Sequence, residues 1–129
     1  MKIILLISAV AAVIFLAQRA FAGDFITPAK AAARVAAGTA VLIDVREPDE
    51  WREGVVKGAL LLPLSDLQGD RARWGEALKT LQGKELILYC RSGNRSGIAA
   101  RLLAGEGFAT VNGGGFTAWK NAGQPVATP

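Results

Sequence analysis

Histidine is absent from all 129 residues, so no imidazole is present to act as a general base, a metal ligand or one half of a Cys–His pair. Cysteine occurs once, as Cys90. A single thiol cannot build an internal disulfide, a CxxC redox pair or a thiolate zinc site. The carboxylates form no recognisable metal-binding pattern, so neither a metal nor another cofactor is expected. Net charge is also small, +4 over the chain, which gives no reason to expect nucleic acid or an anionic membrane surface as a partner. No internal repeat divides the sequence. Any nucleophile in this protein has to be activated by backbone dipoles and arginine.

The apolar run from Ile3 to Ala17 is short for a membrane-spanning helix, which needs ~20 residues. Lys2 precedes it, and Gln18-Arg19 and the small-residue pattern Ala20-Phe21-Ala22 follow, the layout of a secretory signal peptide cleaved after Ala22. Residues 1–22 are therefore expected to be a signal and residues 23–129 one globular domain, with an uncleaved anchor as the alternative. Losing Lys2 and Arg19 lowers the formal charge from +4 to +2, and no membrane association is expected after cleavage. Export to a periplasm would place an unpaired cysteine where thiols usually pair. A lone thiol kept there points to chemistry.

Along the remaining chain, strand and helix patterns alternate. Thr27-Pro28 has the cap and first-turn proline of a helix that runs through Ala29 to Ala37 and closes at Gly38. Val41 to Val45 reads as a buried strand, Arg46 to Trp51 as a turn with a short helix, and Ala59 to Leu62 as a further strand before Pro63. Ser65 is expected to cap a helical region that continues, broken at Gly69 and Gly75, to about Leu81. A strand at Glu85 to Tyr89, a helix containing Ile98, Ala99, Leu102 and Leu103, a strand at Phe108 to Val111, and a short helix with Trp119 complete the series. Short apolar strands without strict alternation, separated by helices, predict an α/β domain with a mostly parallel sheet flanked by helices on both faces. Trp51, Trp74 and Trp119 are expected in the core or at a cleft wall.

Cys90 opens the run Cys90-Arg91-Ser92-Gly93-Asn94-Arg95-Ser96, between a strand pattern and a helix pattern. A loop of this kind gathers unpaired backbone N–H groups at the positive end of the helix dipole, and a thiol facing them should ionise near neutral pH. Gly93 lets the loop curl, and Arg91 and Arg95 add charges that can fork onto an oxyanion. The pocket suits a small anionic substrate, bound by Arg91, Ser92, Gly93, Asn94, Arg95 and Ser96, with Cys90 as nucleophile. Ligands of open α/β sheets bind outside the carboxyl ends of the strands, where Cys90 stands.

With these residues in view, the chain resembles the rhodanese family of sulfurtransferases, and within it the small, exported, single-domain thiosulfate sulfurtransferases. The resemblance rests on three segments: Asp44-Val45-Arg46-Glu47-Pro48 with Glu50-Trp51, Gly54 and Gly58-Ala59; the Cys90 to Ser96 loop; and Gly114-Gly115-Phe116 with Trp119, Gly123 and Pro125. The family often has Gly-His-Ile where this chain has Gly54-Val55-Val56. The resemblance implies a Cys90 persulfide, loaded from thiosulfate and discharged to cyanide or a thiol, with Arg91 and Arg95 at the sulfonate end. It also implies that Asp44 and Arg46 brace the fold near the active loop.

Two other readings share the loop. A persulfide carrier or interaction module would pass its sulfur to a protein partner. Phosphatases and arsenate reductases of the same superfamily use a loop one residue longer, with an arginine six positions after the cysteine; here that position is Ser96 and the arginine, Arg95, comes one place earlier. The shorter loop favours a single sulfur atom over a tetrahedral oxyanion.

Overall fold

The computed structural model describes residues 25–129, and the signal segment expected at residues 1–22 lies outside the described residues. In chain order the elements are α1 (Pro28–Ala36), β1 (Ala40–Asp44), a 3-10 turn (Glu50–Glu53), β2 (Val55–Val56), β3 (Leu60–Leu61), α2 (Leu64–Gln68), α3 (Ala72–Thr80), β4 (Glu85–Cys90), α4 (Asn94–Gly105), β5 (Thr110–Gly115), α5 (Phe116–Asn121) and β6 (Val126–Ala127). The main sheet has four parallel strands in the order β3-β1-β4-β5, and β2 and β6 form a separate antiparallel pair. Helices cover both faces of the main sheet, as the alternating pattern predicts.

The central strands β1 and β4 run in register from Ala40 beside Glu85 to Asp44 beside Tyr89. Side chains alternate across a strand, so Ile43, Leu86, Leu88 and Cys90 face α2, α3 and α4, where they meet Leu64, Leu67, Trp74, Ala99, Ala100 and Leu103. Leu42, Ile87 and Tyr89 face the other way, onto Ala31 of α1 and Phe116 and Trp119 of α5. Trp51, Trp74 and Trp119 are all buried. The sulfur of Cys90 therefore lies on the α4 side of the sheet.

Two helix boundaries differ from the sequence expectation. Thr27 caps α1 as expected, its hydroxyl accepting from the Lys30 N–H at 3.3 Å. Ser65 does not cap α2, which begins one residue earlier, with Pro63 at the cap position. The Ser65 hydroxyl and N–H donate to the Glu47 carboxylate at 2.5 and 3.3 Å, so a carboxylate distant in sequence does the capping. The break between α2 and α3 falls at Gly69 to Arg71, while Gly75 lies inside α3. Arg71 takes a left-handed backbone at φ 60°, and Asp66 accepts the N–H groups of Arg73 and Trp74 at 3.1 and 2.8 Å. Those bonds satisfy first-turn donors of α3 that no local cap reaches. No helix among the described residues is long and apolar enough to cross a membrane.

Candidate active site

Cys90 is the last residue of β4 and is 1% exposed. From it the chain turns through Arg91 and Ser92 to Gly93, then enters α4 at Asn94. Gly93 holds φ at 93°, a conformation costing about 1–2 kcal/mol for a residue with a Cβ. This curl points the Gly93 N–H back at the Cys90 Sγ, 3.1 Å away. The Ser96 hydroxyl, one turn into α4, reaches the same sulfur at 3.4 Å. Burial alone pushes the thiol up. The Ser96 hydroxyl and the backbone N–H groups of Ser96, Ser92 and Gly93 more than offset it, leaving the thiol below its ordinary value.

The loop residues divide by position. Gly93 and Ser96 are buried against the sulfur, Ser92 and Asn94 are exposed, and Arg91 is exposed with no acidic partner among the described residues. Arg95 was expected to fork onto a substrate, and instead both its terminal nitrogens donate to Glu50, at 2.5 and 2.8 Å. That carboxylate lies in the 3-10 turn, so Arg95 ties the start of α4 to the segment after β1. Its charge still faces Cys90. Arg101 is exposed on α4.

Three contacts were not foreseen from the sequence. Asn112, on β5 and 2% exposed, donates from Nδ2 to the Gly93 carbonyl at 2.7 Å. Its Oδ1 accepts from the Ser96 hydroxyl at 2.7 Å and the Gly114 N–H at 3.0 Å. Gly115 lets the loop lie directly on β5: a Cβ there would stand 2.5 Å from the Arg91 carbonyl oxygen. Phe25, 68% exposed, lays its ring against Gly93, where an added Cβ would meet it at 2.9 Å. Its neighbour Ile26 donates to the Asn112 carbonyl at 3.0 Å, which pins this segment to the edge of the main sheet. In the sequence Asn112 follows a short apolar run and precedes three glycines, so its only local signal is a polar residue at the expected end of a strand. An apolar hollow lined by Val35, Leu42, Val56, Trp119 and Pro125 lies on the α1 and α5 face, and no loop residue lines it.

The fold that holds this buried thiol is shared with relatives of this chain. The rhodanese-like domain family matches residues 27–122, and the chain belongs to that family. A sulfurtransferase from Allochromatium vinosum is 34% identical over 91 residues, covering 69% of this chain and 79% of that protein. The uncharacterized protein slr1261 of Synechocystis sp. is 40% identical over 88 residues, covering 67% of this chain and 46% of that one, so the match spans less than half of that relative's length. The crystal structure of a rhodanese-related protein from Thermoplasma volcanium superposes with a TM-score of 0.67 at 30% identity, covering 82% of this chain and 99% of that chain. Such relatives support sulfur transfer as the kind of activity, with a sulfur donor and a sulfur acceptor as substrates.

Proposed function

We propose that this chain is an exported thiosulfate sulfurtransferase that carries sulfane sulfur on Cys90. The observation that carries the reading is Cys90, 1% exposed, whose sulfur receives the Gly93 N–H at 3.1 Å and the Ser96 hydroxyl at 3.4 Å. In the first half-reaction the Cys90 thiolate attacks the outer sulfur of thiosulfate. A new S–S bond forms, the sulfur–sulfur bond of thiosulfate breaks, and sulfite leaves with its electron pair. Cys90 then holds a persulfide anion, stabilised by preorganised backbone donors of the Arg91 to Ser96 loop. In the second half-reaction cyanide or a thiolate attacks the terminal sulfur, thiocyanate or a new persulfide departs, and the Cys90 thiolate is restored. One covalent intermediate shared by two half-reactions predicts ping-pong kinetics.

Two features favour sulfur over a larger group. The loop from Cys90 to Ser96 is one residue shorter than the oxyanion-wrapping form, and its Gly93 N–H and Ser96 hydroxyl close directly on the sulfur, which suits transfer of one atom. Arg95 is held by Glu50 and is not placed to wrap a tetrahedral oxyanion as phosphoryl transfer requires. Arg91, exposed and without an acidic partner among the described residues, is the cation offered to the sulfonate end, and Arg95 ties the start of α4 to the 3-10 turn. Export rests on the sequence of residues 1–22.

The test is intact-mass spectrometry of protein recovered from the export compartment, before and after thiosulfate and again after cyanide. The expected result is a chain beginning at Gly23 that gains one sulfur, about 32 Da, on Cys90 and loses it to cyanide. Cys90→Ser should fold and gain nothing. If sulfur loads but only a protein removes it, the carrier reading replaces the enzyme. If none loads, thiosulfate is the wrong donor.

A further inference from the structure

Ser96 has one hydroxyl proton and two acceptors within reach: the Cys90 Sγ at 3.4 Å and the Asn112 Oδ1 at 2.7 Å. A hydroxyl donates one hydrogen bond at a time, so the proton has to choose. Neither acceptor is orphaned by the choice. When Ser96 turns to the sulfur, Asn112 Oδ1 keeps the Gly114 N–H at 3.0 Å. When Ser96 turns to Asn112, the sulfur keeps the Gly93 N–H at 3.1 Å. A buried polar group left without a partner makes a switch of this kind costly, and here that cost is absent in both positions. The Asn112 amide is fixed in orientation, because Nδ2 donates to the Gly93 carbonyl at 2.7 Å and only the oxygen can accept from Gly114.

We propose that Asn112 is a positioning residue that competes with Cys90 for the proton of Ser96, taking it when the sulfur is uncharged and releasing it when the sulfur is a thiolate. The inference rests on Cys90 being the sulfur-bearing residue proposed above. During turnover the Ser96 hydroxyl donates to the thiolate of the free enzyme. Once Sγ is the inner, neutral sulfur of a persulfide, the hydroxyl swings to Asn112 and the charge on the terminal sulfur is left to the backbone donors. Each half-reaction then ends with the hydroxyl aligned for the next. The other charge facing this sulfur is Arg95 of α4, already paired with Glu50 of the 3-10 turn and within the field of Glu47.

The experiment is the pH dependence of Cys90 alkylation by iodoacetamide in wild type, Ser96→Ala, Asn112→Ala and the double variant. Removing Asn112 also loosens Gly93, but that effect is common to both Ser96 backgrounds and cancels in the cycle. The expected result is that Asn112→Ala makes Cys90 about fivefold more acidic with Ser96 present than with Ser96 absent, the size of one redirected hydrogen bond. Asn112→Asp, which keeps Oδ1 and strengthens it as an acceptor, should shift the coupling the opposite way. If Asn112→Ala does not fold, Asn112→Leu fills similar volume and serves in the same cycle. Equal shifts in the two backgrounds would overturn the competition and leave Asn112 as a brace for Gly93 alone. Alkylation needs no persulfide, so a normal coupling with no sulfur gained from thiosulfate would sink the proposed activity and spare this inference.

Discussion

Glu50 and Arg95 meet through two hydrogen bonds of 2.5 and 2.8 Å, and their pairing has a pH signature. The hydrogen bonds from Arg95 hold the Glu50 carboxyl down at about 2, against 4.5 ordinarily, despite the opposing effect of burial. A carboxyl depressed on folding contributes stability that is present above its unfolded value and lost as the pH falls toward its folded value. The window here runs from about 4.5 down to about 2. The side chains are 18% and 30% exposed, so screening cuts the contribution to ~1–2 kcal/mol. Glu50→Gln should therefore lose ~1–2 kcal/mol at pH 7, with the gap to wild type closing by about pH 2. Urea unfolding at pH 7, 4 and 2 measures it. A gap that persists at pH 2 would mean that the glutamine is simply a worse fit beside Arg95. Sulfur loading should also slow in Glu50→Gln, since the start of α4 then loses its tie to the 3-10 turn.

At the scale of elements, the site is one loop clasped between α4 and the end of β5. Gly115 is the point of closest approach: an added Cβ would stand 2.5 Å from the Arg91 carbonyl oxygen and 3.3 Å from the Ser92 Cα, both backbone atoms. Backbone cannot rotate aside as a flexible side chain can, so the loop itself must move. Gly115→Ala is expected to cost about 1–3 kcal/mol, in the range of overpacking, and to abolish sulfur loading, because the displaced loop carries the donors that surround Cys90. Thermal melting and intact mass after thiosulfate check the two halves of that statement. Much of this assembly was legible in the sequence. Thr27-Pro28 marked the start of α1, the apolar runs marked β1 and β4, and the Cys90 to Ser96 run announced a strand-to-helix turn. What escaped notice carries little local signal. Strands β2 and β6 are two residues each, too short for any periodicity, and they exist because they pair with each other. Strand β5 was expected to end at Val111 but runs to Gly115; its glycines read as a loop when no neighbouring strand is in view, which hid Asn112. The destination of Arg95 depended on Glu50, and a single sequence offers no means of pairing charges so far apart.

For the molecule as a whole, the Asp44–Arg46 pair joins parts that the sheet hydrogen bonds do not. Asp44 ends β1 and is 0% exposed, and Arg46 is 1% exposed. The guanidinium donates to both oxygens of Asp44, at 2.8 to 3.1 Å, and to the Gly54 carbonyl at 2.7 Å. It lies 4.3 Å from the centre of the Phe116 ring. The main sheet, the approach to the β2–β6 pair and α5 are thus held by one buried charge. Burial works against that charge, yet the hydrogen bonds and field of Asp44 raise its affinity for a proton above that of a free arginine. Tyr89 adds a second link, its hydroxyl accepting the Val56 N–H at 2.9 Å. An isolated two-stranded ribbon is marginal in water, so the β2–β6 pair depends on such links. Removing one member of a buried pair strands the other, which costs about 3–5 kcal/mol. Asp44→Ala is expected to lose that much in urea unfolding. The double variant Asp44→Leu/Arg46→Met should lose clearly less than the two single changes added together, because no charge is then left buried. Additive losses would instead mean that Arg46 acts chiefly through Gly54 and Phe116, and that Asp44 is a local turn residue whose carboxylate accepts the Arg46 N–H at 2.9 Å.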